Sequence, residues 1–167
     1  LEALNATNIA CEVVPGVTSA LAATAHVKRP LTRRGRGRSV ALTTAMTQHL
    51  TLQAARSADT EVFYMAGRQL AALSRQLLGA GWPGSTPVVV VSCVGAPNAL
   101  SSDQTVASLG EAALLHAGRP TVVTVGVGAA TLAQHQQQRL TAGAQALQQH
   151  DQPGLDALLR QPAKLSN

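Results

Sequence analysis

Four arginines, Arg33, Arg34, Arg36 and Arg38, fall within six residues, separated only by Gly35 and Gly37. Guanidinium groups form forked, two-point contacts with carboxylates and phosphates, so such a run suits a polyanionic ligand. It suits a solvated basic surface loop equally well. A second cluster lies upstream. Val13-Val14 reads as a strand end, Pro15-Gly16 as a tight turn, and Thr18-Ser19 precedes the helix-forming Ala20-Leu21-Ala22-Ala23. A hydroxyl there caps free N–H groups at a helix start. Together these groups bring donors to a sheet edge, where a small polar or anionic ligand can sit; an ordinary strand–helix turn would look the same.

Other chemistry is missing. His26, His49, His116, His135 and His150 share no spacing on a common face, so each reads as a solvated or helix-end residue and no metal site is expected. There is no G-x-S-x-G elbow, no phosphate-binding P-loop and no G-x-G-x-x-G. Cys93, at the end of an apolar run, reads as a small buried residue rather than a nucleophile.

These residues need a scaffold, and the hydrophobic pattern supplies one. Strands are predicted over Ile9–Val14, Ser39–Thr44, Glu61–Met65, Pro87–Cys93 and Thr121–Val127. Helices are predicted over Leu1–Thr7, Thr18–Val27, Gln69–Leu78, Gly110–Ala117 and Leu132–Gln149. Leu70, Leu73 and Leu77 give the Gln69–Leu78 helix its apolar face. Val88–Val91 is the most apolar strand and is expected at the centre of the sheet. Gly95–Asp103 reads as a loop and Gln48–Ser57 as a short helix or irregular connection. Alternating strands and helices imply a three-layer α/β domain with its ligand at the carboxyl ends of strands.

Composition narrows the function classes. The 167 residues are 46% hydrophobic but only 2% aromatic, so the core must be built from Ala, Val and Leu. The formal charge is +5. One Trp, one Tyr and one Phe make no stacking platform for single-stranded nucleic acid. Two cysteines, Cys11 and Cys93, make no disulfide framework, which suggests a reducing cytoplasm. No apolar run reaches membrane-spanning length. The chain opens on Leu1 in what reads as mid-helix, so a fragment of a longer protein is expected.

Three phrases in order carry a family resemblance: Val-Val-Pro-Gly-Val-Thr-Ser-Ala-Leu-Ala (Val13–Ala22), Pro-Leu-Thr-Arg-Arg-Gly (Pro30–Gly35) and Asp-Thr-Glu-Val-Phe-Tyr-Met-Ala-Gly (Asp59–Gly67). They resemble the C-terminal half of the tetrapyrrole methylases, most closely those acting on uroporphyrinogen III. Thr86-Pro87, Asp103-Gln104 and Pro120–Gly126 extend the likeness to about residue 130. The resemblance implies a mixed β-sheet flanked by helices, with residues 1–14 ending an inter-domain helix and linker strand, 15–130 forming the C-terminal methylase domain and 131–167 a helical extension. It implies S-adenosylmethionine as cofactor, methylation of uroporphyrinogen III to precorrin-2 on the way to sirohaem, cobalamin or haem d1, and a homodimer. It implies neither nucleic acid nor membrane as a partner.

By the same resemblance, Thr18, Ser19 and Met65 contact the cofactor. So does Val94, or Gly95 if one residue is gapped, and Thr121 and Val122 lie near the adenine. Arg34, with Arg33 beside it, would hold a carboxylate of the eight-carboxylate substrate. Arg33 stands where the family commonly has histidine, and Thr44-Ala45-Met46 replaces a Thr-Gly-His. The family's glycine-rich cofactor loop and acid/base residues belong to an N-terminal half absent from these 167 residues, so no catalytic residue is assigned and the chain alone is expected to be inactive. A non-catalytic ligand-binding or oligomerisation domain on the same fold is the alternative.

Overall fold

The computed structural model describes residues 1–45, 52–131 and 133. The chain divides into two compact units, Leu1–Ala129 and Ala130–Asn167. The helix expected over Leu132–Gln149 lies outside the described residues, apart from Ala133.

The first unit is built on five strands: β1 (Val40–Thr44), β2 (Thr60–Tyr64), β3 (Pro87–Ser92), β4 (Leu100–Thr105) and β5 (Thr121–Gly126). Their order across the sheet is β1-β2-β5-β3-β4. β1 and β2 are parallel, while β5 runs antiparallel to both β2 and β3, and β4 is antiparallel to β3. The sheet is therefore mixed. β5 closes no parallel crossover, contrary to the alternation of elements, because it enters between two strands that both oppose it. β3 is interior as its valines suggested, but β5, buried at every position, holds the midline. Both are near-continuous apolar runs, and their patterns alone do not rank them.

Strand alternation splits the valines between two layers. Phe63, Val88, Val90, Val123 and Val125 pack with Leu73, Leu77, Trp82 and Leu109 on one face. Val62, Val89, Val91 and Val122 pack with Ala20 and Ala23 on the other. The first face is covered by α3 (Leu70–Gly79), whose Leu70, Leu73 and Leu77 are buried as the 3–4 spacing predicts. The second is covered by α2 (Ser19–His26), whose buried positions are Ala20, Ala23 and Thr24. Such small side chains let the helix backbone approach the sheet closely.

Three expectations fail locally. Ile9–Val14 forms no strand; it follows α1 (Glu2–Ala6) as an exposed segment, with Val14 79% accessible. Its β-branched residues fit a pleated surface, but the segment pairs with no described strand. Gly95–Asp103 is only partly a loop, because Leu100–Thr105 is the edge strand β4, paired to β3 from Pro87↔Thr105 to Ser92↔Leu100. An edge strand tolerates the polar Ser-Ser-Asp-Gln run that hid it. The Gly110–Ala117 helix divides into a 3-10 turn (Leu109–Ala112) and a single helical turn, α4 (Ala113–His116).

Candidate binding cleft at the strand ends

β2 and β3 stop side by side across β5, and each stops on a strained residue. Met65, just after β2, has φ 57°, and Cys93, just after β3, has φ 53°. Neither is glycine, so each pays the steric cost of the left-handed region, and such residues collect where a site over-determines the backbone. The turns are pinned from below. Cys93 donates its N–H to the Pro120 carbonyl (2.9 Å), and Thr121 Oγ1 donates to the Arg119 carbonyl (2.8 Å). Gly67 completes the packing: a Cβ there would lie 2.6 Å from the Arg119 carbonyl and 2.7 Å from Thr121 Oγ1.

The opposite wall is the start of α2. Thr18 is its N-cap, accepting from the Ala20 N–H at 3.4 Å, and its hydroxyl is also hydrogen-bonded to the Tyr64 hydroxyl at 2.7 Å. That bond ties the helix start to the end of β2. Between these walls lies a cleft of about 420 Å³ lined by Ser19, Tyr64, Met65, Cys93, Val94, Ala96, Asn98, Pro120, Thr121 and Val122. Its volume falls in the roughly 300–1,000 Å³ range of small-molecule sites. Apolar atoms dominate the lining, Ser19, Tyr64, Cys93, Asn98 and Thr121 are its polar residues, and no carboxylate or imidazole lines it. The cleft can hold and orient a nucleoside-sized molecule, but it offers no carboxylate or histidine as general acid or base. Among the described residues there is also no cluster of three or more groups able to hold a metal.

Behind the Cys93 turn sits His116, fully buried. Its Nδ1 is bonded to Ser92 Oγ (2.8 Å) and its Nε2 to Ser102 Oγ (2.9 Å), joining β3, α4 and β4. Burial, then the positive charge of Arg119, hold its pKa below the ordinary histidine value. It ends a helix as predicted, but it is a core residue and not a solvated one. The hydroxyls that make burial tolerable come from distant strands, which its sequence neighbours do not show.

Of the cofactor positions expected from sequence, Ser19, Met65, Val94, Thr121 and Val122 line this one cleft, and Thr18 stands directly behind it. Gly95 is not among the lining residues; it turns the chain with φ 85°. Sequence reasoning missed Tyr64, Cys93, Ala96, Asn98 and Pro120. Tyr64 lay inside a phrase already singled out. Cys93 is half-buried and faces the cleft, which its apolar neighbours disguised. Asn98 carries no sequence signal.

The arginine run is elsewhere. Arg33 and Gly37 exchange backbone hydrogen bonds (both 2.9 Å), closing a hairpin around Gly35. The hairpin adjoins the amino ends of β1 and β2, where Asp59 accepts from the N–H groups of Arg38 (2.8 Å) and Ser39 (3.1 Å). Five residues of β2 separate the two places, roughly 16 Å at about 3.3 Å per residue. The Arg33 side chain is buried, while Arg34 is exposed. Thus the structure does not bring Arg33 or Arg34 to the cleft.

The model of the tetrapyrrole (corrin/porphyrin) methylase family matches residues 1–113. The chain belongs to that family. Siroheme synthase 2 of Serratia proteamaculans is 37% identical to this chain over 137 residues, covering 75% of this chain and 28% of that protein. A crystal structure of uroporphyrin-III C-methyltransferase from Thermus thermophilus is 34% identical, with TM-score 0.60 over 77% of this chain and 53% of that one. Another structure of that Thermus enzyme, complexed with S-adenyl homocysteine, shares the fold at 24% identity and TM-score 0.62, covering 74% of this chain and 55% of that one. This chain therefore spans about half of the Thermus enzyme and little more than a quarter of the Serratia one.

Proposed function

We propose that this chain supplies one wall of the S-adenosylmethionine site of a uroporphyrinogen-III C-methyltransferase, acting in sirohaem or related tetrapyrrole synthesis. One observation carries the reading: Ser19, Met65, Val94, Thr121 and Val122, matched to cofactor positions through separate phrases, line a single cleft. The cofactor supplies an electrophilic methyl group. This chain's part is to bind and orient. Met65, Val94 and Val122 offer apolar surface, Ser19 and Thr121 lie at opposite walls, and Tyr64 with Thr18 fixes the spacing between them. With no carboxylate or histidine in the cleft, the 167 residues alone bind cofactor without methylating. The enzyme works as a cytoplasmic homodimer. Arg34, exposed on its hairpin, contacts a substrate carboxylate; this rests on the Pro-Leu-Thr-Arg-Arg phrase, and its distance from the cleft is the reason to test it separately.

The test is titration of the full chain with S-adenosylhomocysteine while following alkylation of Cys93, with exposed Cys11 as internal reference. Cofactor analogue is expected to protect Cys93 and leave Cys11 reactive; equal alkylation of both at saturating ligand would remove the cleft from the site. Absorbance at the precorrin-2 band tests the second half of the proposal, and turnover by this chain alone would contradict it. The absence of a carboxylate or histidine from the cleft also favours a second reading, a purely ligand-binding or oligomerisation domain. That reading is supported if a longer protein carrying this chain binds the analogue and still does not turn over.

A further inference from the structure

A second cavity, of about 240 Å³, opens beside the cleft. It is bounded by Gly67-Arg68 on one side and Gly118-Arg119 on the other, and it shares Met65, Pro120 and Thr121 with the cleft. The two loops that carry the arginines are in contact at Gly67, where a Cβ would lie 2.6 Å from the Arg119 carbonyl, so the arginines are held on a packed frame. Arg119 donates to the carbonyl of Asn98 (3.4 Å), itself a cleft residue, which directs its guanidinium toward the junction of the two cavities.

What is missing is a counter-charge. Of the chain's eight acidic residues, six are described: Glu2, Glu12, Asp59, Glu61, Asp103 and Glu111. None lines either cavity. Asp103 pairs with Arg29, Asp59 is bonded to Arg38 and Ser39, and Glu61 accepts from Ser57 and Ala58. Two guanidiniums thus border one cavity with no carboxylate of the described residues to pair with, beside a cleft that has none either.

We propose that this annex is a carboxylate subsite, in which Arg68 and Arg119 grip an acidic group of a ligand whose body occupies the neighbouring cleft. The proposal rests on the cleft reading above. The acidic group has two possible sources, the amino-acid end of the cofactor or an acidic side chain of a porphyrin-type substrate, and the chemistry of the grip is the same for both.

The experiment compares acids with their uncharged counterparts on the full chain. The cofactor arm uses S-adenosylhomocysteine against methylthioadenosine, which lacks the carboxylate. The substrate arm uses uroporphyrin against its octamethyl ester. Arg68→Ala and Arg119→Ala are each expected to weaken one acid by about tenfold, the scale of one lost charge-assisted contact, and to leave its neutral counterpart within twofold. Lysine at either position should recover part of the loss, since it keeps the charge without the fork. Arg75→Ala, on the exposed side of α3, should change nothing. Loss confined to S-adenosylhomocysteine assigns the subsite to the cofactor, and loss confined to uroporphyrin assigns it to the substrate. If both acids keep their affinity in the Arg68 and Arg119 variants while Cys93 protection persists, the annex is overturned and the cleft stands. If the unaltered chain binds neither acid and Cys93 is unprotected, both readings fail.

Discussion

At one end of β2 stand Tyr64 and Met65, and at the other Asp59 and Thr60. The first end carries a left-handed methionine and a cleft without a carboxylate, with Arg68 and Arg119 beside it. The second is crowded with charge, yet much of that charge is spent inside the fold. The Asp59 carboxyl is held below its ordinary pKa by the Arg38 N–H, then by the Ser39 hydroxyl and N–H. The buried Glu61 carboxylate accepts from Ser57 Oγ and N (both 2.8 Å). Thr60 Oγ1 donates to the Leu31 carbonyl and accepts from the Gly128 N–H. The comparison teaches that density of charge in a sequence need not mark the site. Here the carboxylate-bearing end closes the architecture, while the cleft end has strain, space and polar points left over for a ligand.

The sharpest way to break this contrast is at the carboxylate-bearing end. Gly126 ends β5 with φ 93°, and a Cβ there would collide with the Asp59 carbonyl oxygen and press on the Trp82 ring at 3.1 Å. Gly126→Ala combines a disallowed φ with a backbone clash, so a loss of roughly 3–5 kcal/mol in denaturant unfolding is expected. A loss under about 1 kcal/mol would mean that this end is looser than described.

Next in size is His116→Ala, which empties a buried site and leaves two serine hydroxyls without their partner. It should cost about 2–4 kcal/mol by chemical denaturation. The native pKa lies below the unfolded value of 6.5, so the unfolded chain takes up the proton first. The stabilising contribution of His116 is therefore complete above about pH 6.5 and declines as pH falls from there through the native pKa. Unfolding curves across that window should show this slope in the unaltered chain, and it should diminish in His116→Ala.

Tyr64→Phe probes the cleft end with a lighter touch. It removes the 2.7 Å bond to Thr18 and should cost about 1 kcal/mol of stability. If the bond sets the width of the cleft, affinity for S-adenosylhomocysteine should fall by more than the stability change implies; unchanged affinity would make it a purely structural tie. The smallest effect belongs to Arg34→Ala, expected to leave stability within about 0.5 kcal/mol and cofactor affinity within twofold. In a longer, active protein it should raise the substrate requirement alone. An equal rise for cofactor and substrate would argue against a carboxylate role.

Much of the layered fold was legible because its determinants are local. The valine runs of β3 and β5, the leucine spacing of α3 and the Thr18 cap each announce themselves within a few residues. That the sheet is mixed came through the family resemblance; no local pattern shows that β5 opposes both neighbours, which is set by how distant segments pack. Edge strand β4 hid because an edge needs no apolar run. At the site, the phrase-matched residues Ser19, Met65 and Val122 converge, but Ala96 and Asn98 enter through three-dimensional adjacency alone. The arginine hairpin was legible as chemistry and not as location.

The two strained turns bear on how this protein would respond to improvement for its own sake. Glycine at Met65 or Cys93 would relieve the left-handed backbone, and a search for heat resistance would favour it. Each such gain would strip a side chain from the wall of the cleft. The easiest route to a hardier fold therefore leads through the loss of its binding surface.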